Sequence, residues 1–194
     1  MGKSYSEIDD GLAKFIRGQS VFFVATAPAD PEAHLNLSPK GLDTLRILDA
    51  KTVVYLDLIG SGVETVAHLK ENGRIVLMFC AFQGRPMALR LHGRGRVIEP
   101  GCEEFEVLAG QFPEYEAKRA VIVVEVERIS TSCGYAVPLL KYEGEREQYF
   151  AWARKKGADG LKSYRREKNR QSIDGLPALE FEEELEAATG EGQA

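Results

Sequence analysis

The stretch LNLSPKGLDTLRILDAKTVVYLDLIGSGVETVAHLKENGRIVLMFCAF, from Leu35 to Phe82, decides the fold. A polar turn with a lysine leads into an apolar, β-branched run. A glycine-serine-glycine loop at positions 60–62 then opens a helix, and a second apolar run begins at Ile75. Both runs have the length and composition of buried strands. The pattern therefore predicts two strands with one short helix between them.

The loop at positions 60–62 has two interpretations. Glycines at a helix start expose backbone amides to an anion, and Lys40 adds a positive charge, so the loop and this lysine together indicate a phosphate site. The same sequence is equally typical of a strand-to-helix turn without a ligand, with Lys40 as a solvated turn residue. Ser61 and Glu64 also have the spacing of a capping box, and Gly73 marks the end of the helix.

The rest of the chain is rich in strand patterns. Ser6 to Phe15 is predicted to be a helix capped by Ser6 and Asp9. Alternating and apolar segments predict most of the remaining elements. The predicted strands cover 21–27, 34–37, 52–58, 75–82, 87–98, 120–129 and 137–142, and a helix covers 102–112. The glycines in 87–98 indicate a bend or a close backbone neighbour.

Six or seven strands without regular βαβ alternation predict a mainly β fold, an antiparallel barrel with short helices at its rim. The composition changes after Glu143, so we expect a barrel domain over 1–142 and a C-terminal helical, charged extension over 143–194 packed on the same domain. Residues 154–170 hold eight Lys or Arg, and residues 180–191 hold six Glu. Such segments form helices that pair with each other or cover a partner. The last residues, TGEGQA, are expected to be disordered.

Composition excludes several classes of function. A net charge of −5 argues against a general nucleic-acid or anionic-membrane binder. Three widely spaced cysteines form no CxxC pair and fit a reducing, cytoplasmic compartment. Neither a signal peptide nor a membrane-spanning run is expected. The three histidines have no metal-ligand spacing, so no metal site is expected.

Two further motifs have a functional and a structural interpretation. A basic face on one strand is formed by Arg90, His92, Arg94 and Arg96. This face is either solvated or a wall that contacts an anionic cofactor or the carboxylates of a partner. Cys133, in a Ser-Cys-Gly-Tyr turn, has no neighbouring base in the sequence, so we do not expect a catalytic thiol.

The order of these segments resembles the pyridoxamine 5'-phosphate oxidase-like family of FMN-binding split barrels. The similarity covers about Ile8 to Tyr142, and its best segments are LNLSPKGLD, TVVYLDL, ETVAHLKENGRIVLMF and RLHGRGRVI. The resemblance implies a Greek-key split barrel that binds FMN, with Lys40 matching the family lysine. The cofactor-binding candidates are Asn36, Ser38, Lys40, Tyr55, Leu56, Asp57, Ser61, Gly62, Thr65, Arg90 and Arg94.

The chain departs from the family pattern in three places. Leu35 and Asn36 stand where an arginine precedes the lysine, Gly-Ser-Gly replaces Ser-Arg-Lys in the phosphate loop, and the closing tryptophan-arginine signature is missing. These departures indicate an uncharacterised branch rather than the true oxidase.

The resemblance implies a homodimer with flavins at its interface and a flavin-dependent oxidoreductase acting on a small molecule. The alternative is a non-catalytic flavin- or haem-binding protein for storage, sensing or stress, although residues 143–194 contain no histidine for haem. An interaction module built on the basic segment 154–170 is a third possibility.

Overall fold

The structure is a computed structural model that describes residues 2–181. These residues form eight strands and four helices in the order β1 Ser4–Tyr5, α1 Asp10–Arg17, β2 Phe22–Thr26, β3 Asn36–Lys40, β4 Leu45–Ile47, β5 Thr52–Leu58, α2 Glu64–Asn72, β6 Arg74–Cys80, β7 Ala88–Ile98, α3 Glu103–Ala109, β8 Lys118–Ser132 and α4 Gln148–Lys168.

The strands form one antiparallel sheet that curls into a split barrel. Their spatial order is β3-β2-β6-β7-β8-β5-β4, with β1 added to the far end of β8. Although β2 and β5 are not neighbours in this order, the ring of Phe22 contacts the ring of Tyr55 edge-on at 5.7 Å. The sheet therefore wraps around a shared core, and the predicted mainly β split-barrel fold is confirmed.

The continuous apolar run of β5 reflects burial on both of its faces. Val53 and Tyr55 point into the barrel core, whereas Val54 and Leu56 pack in a second cluster with α3 residues such as Phe105. A strand covered on both sides loses the alternation of polar and apolar residues that a half-exposed strand shows.

The expected close backbone neighbour lies at Gly93. A Cβ atom there would lie 2.0 Å from the carbonyl oxygen of Glu125 on β8. The pairing between β7 and β8 shifts register at this point, between His92 and Gly93. Only glycine fits where the two backbones approach so closely.

Several local predictions were wrong. The first helix begins at Asp10, and the side chain of Asp9 rather than Ser6 caps it by accepting a hydrogen bond from Leu12 N. The predicted capping box of Ser61 and Glu64 does not form, because no side chain caps α2. Gly73 does end that helix in the left-handed conformation, with φ of 70°.

The strand boundaries also differ from the prediction in places. Residues 137–142 form no strand. Lys40 lies in β3 rather than in a turn, because β3 runs on to pair with the start of β2, where Lys40 faces Phe22. The short strands β1 and β4 were missed, since two or three residues carry too little periodicity to be recognised.

The segment after the barrel packs back onto it. Ala153 and Leu161 of α4 are buried against Ile59 and Ala117. The chain bends at Gly157, where φ is 64°, and residues 178–179 then pack on α2. Of the acidic run predicted over 180–191, only residues 180 and 181 are described, and the chain end expected to be disordered lies outside the described residues. Within residues 2–181, no helix has the length and apolarity needed to cross a membrane.

Candidate functional site

A buried ion cluster joins three strands at one end of the barrel. Lys40 Nζ on β3 lies 2.8 Å from Asp57 Oδ1 on β5, and Arg119 Nε on β8 lies 2.7 Å from Asp57 Oδ2. The Asp57 side chain is 0% exposed and that of Arg119 is 4% exposed, whereas 19% of the Lys40 side chain reaches solvent. Two cations therefore share one carboxylate, which leaves the cluster one net positive charge.

The carboxylate of this cluster is ionised. Burial by itself raises the pKa of Asp57, but the charges of Arg119 and Lys40 and their hydrogen bonds outweigh it and lower the pKa to about 2. An unpaired carboxylate at this depth would instead be driven to its neutral form.

The loop between β5 and α2 is fastened through its carbonyl groups. Arg119 Nη1 donates to Gly62 O at 2.6 Å and to Gly60 O at 3.5 Å. Asn169 Nδ2, just after α4, also donates to Gly60 O, at 2.9 Å. Ser61 and Gly62 themselves are exposed. The loop thus presents its tip to solvent while its carbonyls face buried donors.

A network of neutral side chains lies between β3 and α2. Asn36 Nδ2 donates to Thr65 Oγ1 at 2.9 Å and to Thr26 Oγ1 at 3.0 Å. Ser38 Oγ donates to Asn36 Oδ1 at 2.9 Å, and Thr26 Oγ1 lies 2.9 Å from Nδ1 of the buried His68. The network fixes the position of α2 relative to the edge strand β3.

Tyr55 and Leu56 are both inaccessible in this arrangement. The Tyr55 side chain is fully buried in the barrel core, and its hydroxyl has no hydrogen-bond partner within residues 2–181. Burial, with a further contribution from the charge of Asp57, raises the pKa of Tyr55 well above its usual range. Leu56 faces the opposite side of β5, in the cluster with α3.

Arg90 and Arg94 of β7, which are predicted to bind the cofactor, lie away from the buried ion cluster. Arg90 Nη1 donates to Ser132 Oγ at 3.3 Å on the outer face of the sheet. Arg94 Nη1 donates to Asn72 O at 2.9 Å, and its Nε lies 3.5 Å from Glu127. Contact of these arginines with a cofactor therefore stays a prediction, and it would require a second subunit or another segment of the chain to bring the cofactor to them.

A groove of about 520 Å³ runs along the outside of the sheet beside β3. Leu35 and Leu37, which are 79% and 69% exposed, form part of its wall. The groove is also lined by Arg74 and Val76 of β6 and by His92 of β7. The groove offers an apolar surface next to the free edge of β3.

Comparison with known proteins decides what this barrel is. A sequence model described as pyridoxamine 5'-phosphate oxidase matches residues 8–133. A pyridoxamine 5'-phosphate oxidase family protein of Aspergillus flavus, ustO, is 34% identical over 197 residues, which cover 90% of this chain and 77% of ustO. The chain belongs to the pyridoxamine 5'-phosphate oxidase family.

Solved structures agree with this membership. A tagged variant of the protein HupZ from Group A Streptococcus is 25% identical, with a TM-score of 0.50 over 64% of this chain and 99% of HupZ. A candidate pyridoxamine 5'-phosphate oxidase from Lactobacillus delbrueckii gives a TM-score of 0.52 over 64% of this chain and 94% of its own, at 16% identity, which shows the shared fold.

Sequence reasoning missed three residues of this family member that hold the site together. Arg119, Tyr149 and Asn169 all contact the segment from Ile59 to Gly62. A signal existed only for Arg119, because it is a charged residue at the start of the apolar run AVIVV. Asn169 lies 109 residues along the chain from Gly60, and Tyr149 lies 90 residues from Ile59. No local pattern could therefore reveal these two contacts.

Proposed function

We propose that the chain binds FMN where β3, β5 and the loop at 60–62 meet. The observation that carries this proposal is contact between candidates from separate segments, because residues of β3 reach both β5 and the start of α2. Asn36 donates a hydrogen bond to Thr65, and Lys40 forms an ion pair with Asp57. Membership of the pyridoxamine 5'-phosphate oxidase family, with the resemblance to its FMN-binding barrels, supports a flavin as the ligand.

The charges of the site suit a phosphate group. The Lys40–Asp57–Arg119 cluster carries one net positive charge, and Lys40 is its member nearest to solvent. The exposed tip at Ser61 and Gly62 supplies backbone amides. Glu64, in the first turn of α2, opposes an anion, so the remaining charge of the cluster and the loop amides would have to outweigh it.

The free edge of β3 suits the ring system of a flavin. Within residues 2–181 no strand pairs with the outer edge of β3, so its backbone N–H and C=O groups are available to a polar ligand edge. The adjacent groove supplies apolar contact through Leu35 and Leu37. β3 and this groove would hold and orient the ring.

The bound flavin would supply hydride or electron transfer, and we infer that the protein is an FMN-dependent oxidoreductase acting on a small organic molecule. Its residues bind the phosphate, orient the ring and exclude water from one side. The one cysteine in a prominent turn, Cys133, is exposed and takes no part in this scheme. The cysteine usage also supports a cytoplasmic location.

We further infer that the protein is a homodimer. Leu35 and Leu37 leave large apolar surfaces on the groove side of the sheet. A second copy that covers this face would remove them from water through an isologous interface and would bring its own basic side chains near the groove. Arg90 and Arg94 are the candidates for that contribution.

The visible spectrum of the purified protein with added FMN tests the cofactor. We expect a flavin band shifted from that of free FMN, with quenched fluorescence, at micromolar FMN. A Soret band after haem addition, with no flavin binding, would favour the haem alternative. Bound FMN that can be reduced but is not reoxidised by any organic acceptor would favour the non-catalytic alternative.

A further inference from the structure

We propose that a small cavity beside the first turn of α4 binds the quaternary ammonium group of a small organic cation. The cavity has a volume of about 120 Å³. The aromatic rings of Tyr115, Tyr149 and Phe150, together called the aromatic cage below, line it with the carboxylates of Glu114 and Glu116. None of the residues proposed to bind FMN lines this cavity, so it is a second site and not part of the flavin site.

The rings of the aromatic cage form adjoining walls. Tyr115 lies in the segment before β8, and Tyr149 and Phe150 lie in the first turn of α4. The rings of Tyr115 and Phe150 are 16° from parallel, with centroids 6.1 Å apart. The ring of Tyr149 is inclined by 78° to that of Phe150, with centroids 6.0 Å apart. Because the face of an aromatic ring carries partial negative charge, several rings around one cavity attract a cation, and quaternary ammonium groups are bound in this way.

The protein's own cations do not cover the aromatic cage. At other rings the chain supplies the cation itself: Arg46 lies over Phe112 at 4.8 Å and Lys156 lies over Tyr164 at 5.0 Å. Within residues 2–181, no lysine or arginine lies over a ring of the cage. A cation that binds these ring faces therefore has to come from a ligand.

The charges around the cavity favour a cation over a neutral molecule. The Glu114 carboxylate lies 2.7 Å from Lys118 Nζ, so its charge is already shared. The Glu116 carboxylate has no hydrogen bond or ion pair in the part of the chain that the structure describes. Among the described residues that line the cavity, only Arg154 is basic, and it is exposed, so water screens its repulsion of a ligand cation.

The size of the cavity suits a methylated ammonium group. A volume of about 120 Å³ corresponds to about four water molecules at roughly 30 Å³ each, whereas pockets for whole drug-sized ligands measure about 300–1,000 Å³. A primary ammonium group is strongly hydrated and brings three N–H donors that need acceptors. Methyl groups on the nitrogen need none and gain apolar contact with the rings. The cavity therefore fits the head group of a quaternary ammonium compound.

The experiment compares choline with its neutral tert-butyl analogue, in which a carbon atom replaces the charged nitrogen and the shape is kept. Isothermal titration calorimetry on the full chain measures both dissociation constants. We expect choline to bind at least about 10-fold more tightly than the analogue, because only the cation interacts with the ring faces and with Glu116. Equal affinities would show a merely apolar cavity, and no binding of choline at millimolar concentration would show no site; either result overturns the proposal.

Ring variants locate the binding. Tyr115→Leu and Phe150→Leu should each weaken choline binding by about 3–30-fold, the scale of one cation–π contact, and should weaken binding of the analogue less. Tyr164→Leu is the control, since this ring lies on the same helix but does not line the cavity. The control should bind choline as the parent does. Equal losses in all three variants would place the binding elsewhere.

Charge variants decide the outcome even if a ring variant fails to fold, because Glu116 and Arg154 are both exposed. Glu116→Gln should weaken choline binding, and Arg154→Gln should strengthen it, each by about 2–5-fold, the scale of one exposed charge interaction. The affinity for the neutral analogue should stay the same in both variants. Choline affinities that change in neither variant would show that the bound cation does not lie in this cavity.

Discussion

Lys40 Nζ lies 2.8 Å from Asp57 Oδ1, although four strands separate β3 from β5 in the sheet. This ion pair bridges the opening of the split barrel, and Arg119 holds the same carboxylate from β8. A lysine that the sequence assigns to a phosphate also serves to close the fold. In the proposed site, Lys40 would therefore couple stability to ligand binding.

Asp57→Asn should destabilise the protein and change its response to acid. Because the folded-state pKa of Asp57, about 2, lies below its ordinary value of 3.8, its stabilisation is present above pH 3.8 and is lost as the pH falls toward 2. This difference corresponds to about 2 kcal/mol in the free energy of unfolding. Urea denaturation at pH 7, 4 and 3 should show a steeper loss for the parent than for the variant. Parallel losses would mean that Asp57 is not ionised in the fold.

Lys40→Ala should weaken FMN binding by about 1–3 kcal/mol, the scale of one charge-assisted contact. Lys40→Arg, which keeps the charge, should lose less. Titrations at one salt concentration measure both, with Lys14→Ala on the exposed face of α1 as the control. Equal dissociation constants for the parent and Lys40→Ala would show that Lys40 serves only its ion pair with Asp57.

Leu37→Glu should dissociate the dimer and release FMN together. The Leu37 side chain is 69% exposed in the single subunit. In the proposed dimer the second copy covers it, so a glutamate at this position would place an unpaired charge in the interface. Light scattering of the parent should give about twice 21.5 kDa. Val107→Glu, on the exposed face of α3, is the matched control and should change neither property. A monomeric parent with bound flavin would separate assembly from function.

Gly93→Ala should destabilise the fold by about 2–4 kcal/mol, because the new methyl group meets the backbone of β8 and cannot be accommodated by a side-chain rotation. Thermal and urea unfolding measure the change. Gly60→Ala is the control for stability, since a Cβ there has no neighbour within 4 Å, and it should stay within about 0.5 kcal/mol of the parent. Similar losses at both positions would contradict the packing argument.

Cys133→Ser should keep both flavin binding and any turnover. Cys133 is exposed, and no step of the proposed chemistry uses a thiol. Cys102→Ser, also exposed, gives the matched comparison. If Cys133→Ser alone abolished turnover while the flavin stayed bound, the turn that carries it would become the centre of the mechanism.

Local sequence patterns are enough to predict the strongest strands and the glycine that ends α2. Val53 to Leu56 are buried on both faces of β5 and leave a continuous apolar run, and Gly73 ends α2 because only glycine readily adopts that left-handed conformation. The family resemblance followed from the order of these segments. These are properties of neighbouring residues, which hydrophobic periodicity and backbone sterics reveal directly.

Contacts between residues far apart in the sequence became visible only in the folded structure. The Lys40–Asp57 pair depends on how far the sheet curls, and the bonds from Tyr149 and Asn169 to the loop depend on where the C-terminal segment packs. The predicted capping box at Ser61 is absent for the same reason. Ser61 forms the exposed tip of a loop in which the buried Arg119 donates to the carbonyl of Gly62. Contacts between segments distant in sequence arise from chain closure and from the burial of charge, and neither leaves a local pattern in the sequence.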